Sequence, residues 1–156
     1  MFELNLLPEQ ADNRYQGNRY ALWFFVAFLL LMTWRSIIHM LFEETGYFEI
    51  ANFVLLVGEP DPMPVVFRFF SLWGFAQLIF CMVCWLVVFR YRSLIPLMYL
   101  FWLFEWTGRL WLYPLIREDL ISTGIYTNGL TPGVSGAPFV FGLLILFFAL
   151  SIKRAG

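Results

Sequence analysis

Four stretches of this chain are apolar over long runs, with polar or turn-forming residues between them. A helix needs about 20 residues to cross about 30 Å of hydrocarbon. Residues 20–34 carry no charge, so the first segment reaches that length only by continuing to residue 42, through Arg35 and His39. The second segment covers 65–89, the third 94–115 and the fourth 135–152. Backbone polar groups inside lipid must be satisfied within the segment, so all four are expected to be helices. The first gap reads FEETGYFEIANFVLLVGEPDPMP. Its apolar middle, 47–57, is too short to span and predicts an interfacial or re-entrant helix, ended by Gly58 and the prolines. RYRS makes a tight basic turn. REDLISTGIYTNGLTPGVSGAP reads as a long loop with N-G and P-G turn signals. Residues 1–19 form a polar arm without the layout of a secretory signal. Its FELNLL patch suits a membrane surface.

Composition agrees with the pattern. Hydrophobic residues make up 61% of the 156 and charged residues 13%, against about 25% charged in soluble domains. The expected fold class is therefore all-α: a single integral membrane domain, 1–156, built as a bundle of four transmembrane helices with one extra interfacial helix. Basic residues set its orientation. Arg14 and Arg19, Arg90 and Arg92, and Lys153 and Arg154 fall on one side. Glu43, Glu44, Glu49, Glu59, Asp61, Glu118 and Asp119 fall on the other, with Arg68 and Arg117 near helix ends. The positive-inside rule then places both termini in the cytoplasm and loops 43–64 and 116–134 outside, in a multi-pass protein of a bacterial inner membrane. A net charge of −1 with no basic stripe argues against nucleic acid. Cys81 and Cys84 lie a turn apart in an apolar run, a spacing poor for a disulfide and too few thiols for zinc. They read as buried thiols.

The polar exceptions inside the segments fall at one height. At 1.5 Å per residue, Arg35 lies ~10 Å and His39 ~5 Å below the outer end of the first segment. Gln77 lies ~13 Å below the outer end of the second, and Glu105 ~12 Å and Arg109 ~6 Å below that of the third. Arg35, His39 and Glu43 share one stripe at spacings of four, as do Glu105 and Arg109. Ser71, Gly74, Gln77, Cys81 and Cys84 form a stripe of small or polar residues, which lets helices approach closely. A charge at the bilayer centre costs about 2.5–3.5 kcal/mol, so a network is expected. Glu105 pairs with Arg35, Arg109 or both, and Gln77 and His39 add hydrogen bonds. Two arginines against one glutamate leave a surplus positive charge. Either Glu43 or Glu44 at the rim supplies the missing carboxylate, or the surplus attracts an outside anion such as a lipid phosphate.

Other chemistry finds little support. The single histidine and the neighbouring arginines disfavour a metal, and a lone His39 is a weak signal for a pigment or haem ligand. No cofactor is expected beyond bound lipid. No serine stands on the histidine's stripe as a nucleophile, and no glycine-rich phosphate loop precedes a helix. An aromatic cavity holding a carboxylate has an architectural parallel in small four-helix sterol isomerases, without a shared motif. Arg68, Trp73, Gly74 and Gln77 in the second segment, Arg90 and Arg92 in the turn, and Glu105, Gly108 and Arg109 in the third form a motif over 65–152. It resembles small uncharacterised bacterial four-helix membrane proteins and implies their topology, not a chemistry. The leading functional reading is a non-enzymatic membrane subunit, partnered by lipid and by itself or other membrane subunits. The alternatives are a lipid- or anion-binding protein or channel using Arg35 and Arg109, and an intramembrane enzyme on an apolar substrate with Glu105 as acid or base.

Overall fold

The computed structural model describes residues 6–116, 124–129 and 132–153, with residues 132–134 described as backbone alone. Arg117, Glu118, Asp119 and Arg154, which entered the orientation argument, lie outside the described residues. The only regular secondary structure among the described residues is helical, without strands: α1 Arg19–Leu41, α2 Met63–Arg90, α3 Ile95–Thr107, α4 Tyr113–Ile116 and α5 Pro132–Ile152. Local sequence sets the ends. The Asn18 side chain accepts from Tyr20 N at 2.8 Å and caps α1. Asp61 Oδ1 accepts from Met63 N at 2.9 Å at the head of α2. Prolines occupy the first turns of α2 and α3, where no N–H is missed.

Three helices are long and apolar enough to cross a membrane: Arg19–Leu41, Met63–Arg90 and Ser135–Ile152. This is a multi-pass membrane protein. Large apolar side chains such as Trp23, Phe69, Phe89, Phe104 and Phe139 point outward, which suits a lipid solvent. The expected third segment is helical from Ile95 to Ile116 but in three pieces, because a π-helical turn at Gly108–Leu112 separates α3 from α4.

The helices α1 and α2 form the main packed pair. Gly74 is the point of closest approach: a Cβ there would stand 2.7 Å from Met40 N and 2.8 Å from His39 C. Ser71 Oγ donates to Met40 O at 2.8 Å, and Trp85 Nε1 donates to Thr33 Oγ1 at 3.0 Å. On the other side of α1, Tyr99 Oη donates to Ala21 O at 2.6 Å. Rings of α1 and α3 meet at Phe25–Tyr99 and Phe28–Trp102, with centroids 4.9 and 5.1 Å apart. Phe24 stacks on Phe147 at 4.2 Å, and Trp111 meets Phe141 at 4.7 Å, which joins α5 to the bundle.

The loop between α1 and α2 departs from the expected helix over 47–57. Only a π-helical turn, Thr45–Ile50, is helical. Asn52 adopts a left-handed conformation with φ 54°, which stops the helix. Beyond it the backbone finds partners on the second loop instead: Val54 N donates to Tyr126 O at 3.0 Å, Asn128 N to Asn52 O at 2.9 Å, and Asn52 Nδ2 to Gly129 O at 3.2 Å. An antiparallel bridge pairs Phe53 with Thr127.

At the opposite end the N-terminal arm folds back on the bundle. Asp12 N donates to Ser93 Oγ at 2.9 Å, and Ser93 Oγ and N donate to Asp12 O at 2.9 and 3.1 Å. Asn18 N donates to Leu150 O at 3.1 Å. Gly17 is required where it stands, since a Cβ would lie 2.4 Å from Ser151 O. The hydrogen bond and charge of Arg14 hold the Asp12 carboxyl below its ordinary range, and burial raises the Tyr15 phenol.

Candidate functional site

The end of the bundle remote from the N-terminal arm carries a cationic and aromatic cluster centred on Trp73. Arg35 and His39 reach it from the last turns of α1, Phe70 and Trp73 come from α2, and Glu105, Trp106 and Arg109 come from the end of α3 and its π-helical turn. The guanidiniums of Arg35 and Arg109 each stand 5.1 Å from the Trp73 ring centroid. Arg109 also lies 5.9 Å from the Trp106 ring. His39 stacks on Trp73 at 5.0 Å and 24°, with the Phe70 edge at 4.8 Å. One indole thus faces two guanidiniums and an imidazole. Such cation–π contacts stabilise by about 0.5–1 kcal/mol when exposed and about 2 when desolvated, so Trp73 offsets only part of the cost of holding two cations at this depth.

Arg109 and Glu105 form an ion pair one helical turn apart. Their side chains keep 26% and 31% of their surface uncovered, so the pair opens to one side of the bundle. Arg35 makes no ion pair among the described residues; its one contact of this kind is with Trp73. With His39 neutral, the cluster carries one uncompensated positive charge. Buried atoms without a hydrogen-bond partner gather around it: Trp106 Nε1, Arg109 Nε and Glu105 Oε2, as well as both ring nitrogens of His39.

The remaining candidates separate. Gln77 is buried one turn deeper, where its amide oxygen lies 3.1 Å from Ser36 Oγ. Ser36 Oγ also donates to Met32 O at 2.7 Å and lies 4.0 Å from Cys81 Sγ. Gln77 therefore joins α1 to α2 rather than bonding the charged groups. His39, expected to add hydrogen bonds, packs by its ring faces instead. It fits because Gly46 and Gly74 lack side chains: a Cβ on Gly46 would stand 2.5 Å from Nδ1. The same enclosure leaves no room for a haem or pigment on that nitrogen. Glu43 does not supply the missing carboxylate, since it makes no ion pair among the described residues. It lines a groove of about 590 Å³ at the α1–α2 loop with Glu44, Asp61, Arg68 and Ser71.

Phe70, Trp106 and Gly46 are not singled out by the sequence, and Trp73 enters there only through the motif over 65–152. Trp73 precedes Gln77 by one helical turn on the face turned to α1, and that spacing was the available signal. Gly46 gave none, because its role depends on how the first loop returns over α1. Chemically the cluster offers hydrogen-bond donors in excess and net positive charge, with no nucleophile beside them. Comparison with family models, with curated proteins and with solved structures gave no match.

Proposed function

We propose that this chain is a non-enzymatic, four-span membrane protein whose outer-half cluster holds an anionic group, supplied most simply by a lipid headgroup. The observation that carries this reading is Arg35. Its guanidinium lies on Trp73 without a carboxylate while Glu105 is already paired to Arg109, and an uncompensated cation at this depth is costly. The π-helical turn supports it, since such turns re-aim side chains and recur at functional sites; this one presents Arg109 to the indole. In this reading the helical run from Ile95 to Ile116, about 33 Å long at 1.5 Å per residue, is the remaining span. Both termini face the cytoplasm, and the π-helical turn of the first loop lies at the outer interface.

The test uses the full chain in nanodiscs of phosphatidylcholine with a minor share of phosphatidylglycerol. Lipid retained on the protein is counted by native mass spectrometry. The wild type retains phosphatidylglycerol above its share, Arg35→Met does not, and Arg68→Met, a change in the outer groove, behaves as wild type. Equal retention by wild type and Arg35→Met overturns the reading. A second reading, a subunit of an oligomer or larger complex, is favoured by α5, whose Phe139, Ile145 and Leu146 are 70%, 48% and 52% exposed. A single copy per nanodisc at all protein-to-lipid ratios would exclude self-association.

A further inference from the structure

We infer that the anion taken by this cluster is a phosphate monoester in its singly charged form, and that Glu105 selects it by accepting the hydrogen of its remaining P–OH. The inference rests on the anion-binding reading and adds the ligand's chemical class. Three features of the cluster lead to it.

First, the charge left over is a single positive one, so a singly charged anion completes it. Carboxylates, phosphate diesters and hydrogen-phosphate monoesters all qualify on charge. Second, the free hydrogen-bonding capacity is mixed. Trp106 Nε1 and Arg109 Nε are donors without acceptors and Arg35 makes no ion pair among the described residues, whereas Glu105 Oε2 is an acceptor without a donor. Trp106 is 8% exposed, so its N–H is not satisfied by bulk solvent. A carboxylate or a diester phosphate group satisfies the donors and leaves Glu105 facing another anionic oxygen, a repulsion. A monoester monoanion presents unprotonated oxygens to the donors and its own hydroxyl to Glu105. Third, the pair is open on one side, as the uncovered surface of Glu105 and Arg109 shows. The last torsion of a glutamate is broad and roughly two-fold, so the carboxylate can turn either oxygen to that side while the other keeps Arg109.

No bond is made or broken in this proposal; the hydroxyl proton stays on phosphorus-bound oxygen. A hydrogen bond to a charged group is strong enough to set a preference of about tenfold or more over an otherwise equal ligand. The shared chemistry is a hydrogen-phosphate, whose source is a phosphomonoester lipid in the leaflet or a phosphate from water.

The decisive comparison is between phosphatidic acid and its methyl ester, phosphatidylmethanol, with identical acyl chains. Both carry a negative phosphate, and only the first keeps a P–OH. Full-length protein in phosphatidylcholine nanodiscs with equal shares of the two is examined near pH 5, where the monoanion predominates because the second ionisation lies at about 6, so that both lipids carry one negative charge. The expected result is retention of phosphatidic acid over phosphatidylmethanol by about tenfold. In Glu105→Gln both lipids are held and the ratio falls toward one. Inorganic phosphate added to discs without anionic lipid separates the sources: binding there that displaces phosphatidic acid supports the same chemistry with a water-borne ligand, and its failure to bind supports the lipid. Equal retention of the two lipids by wild type, with both lost in Arg35→Met, overturns the monoester inference and leaves anion binding standing. Retention of neither above phosphatidylcholine removes both. A preference unchanged in Glu105→Gln also overturns the inference. The wild-type ratio needs no variant, so the test survives a Glu105→Gln protein that does not fold.

Discussion

Trp73 is the residue on which the cationic cluster depends, because its ring face is the one surface both guanidiniums share. Replacing it by leucine removes two cation–π contacts and the stack on His39, so Trp73→Leu is expected to lower unfolding stability in mixed micelles by about 2 kcal/mol. Trp73→Phe, which keeps a weaker ring face, is expected to lose less. Trp23→Leu, at a position 67% exposed on the bundle exterior, is the control and should match wild type. A loss no greater in Trp73→Leu than in Trp23→Leu would remove the ring from this role. At this scale the sequence disclosed which charges lie at one height, since residue counting along a helix gives depth directly. It did not disclose partners. Glu105 had two arginines at its height: spacing along its own helix allows Arg109, and only rotation about each helix axis decides whether Arg35 also reaches it. His39 was read as a donor from its chemistry, whereas its packing against two glycine backbones decides that its ring faces matter.

The elements themselves were largely legible. Helices α1, α2 and α5 begin and end within about three residues of the expected limits, because an uncharged run bounded by Asn18, Pro62 or RYRS leaves few alternatives. The stripe of small residues on α2 also appears as expected: Gly74, Gln77, Cys81 and Cys84 are all buried. Adding one methyl at its tightest point should be costly. Gly74→Ala places a carbon 2.7 Å from backbone, where no side chain can move aside, and is expected to destabilise the protein by about 1–3 kcal/mol. Gly142→Ala, with nothing within 4 Å of the added carbon, should be neutral or slightly stabilising. Denaturant titration of both variants measures the difference, and parity between them would mean that α1 and α2 do not approach as described. The two π-helical turns and the extended stretch after Asn52 were not legible. The second turn and the extended stretch meet partners remote in sequence, Trp73 for the one and Tyr126 and Asn128 for the other, and the first turn is set by how Gly46 closes over His39.

The whole molecule is tied at both ends. The bridge between Phe53 and Thr127 links the two longer loops, and the N-terminal arm links the α2–α3 turn to the end of α5 through Ser93, Leu150 and Ser151. The Asp12 carboxylate contributes at the arm. Its value in the folded chain is depressed by Arg14 below the usual 3.8, so its stabilising effect is complete above that ordinary value. It is lost as pH falls through the lowered one. Hydrogen exchange over residues 12–18 should therefore be flat from neutral pH down to about 4, after correction for intrinsic rates, and rise below it. In Asp12→Asn the exchange should already be raised at neutral pH, with no further step on acidification. A wild-type profile without a step below about 4 would show that the carboxylate does not hold the arm.

The arm's docking has a consequence for the order of biogenesis. A ribosome delivers Asn18 well before Leu150, yet the carbonyl that receives the Asn18 N–H belongs to Leu150. The arm must therefore wait, undocked, until α5 has been made.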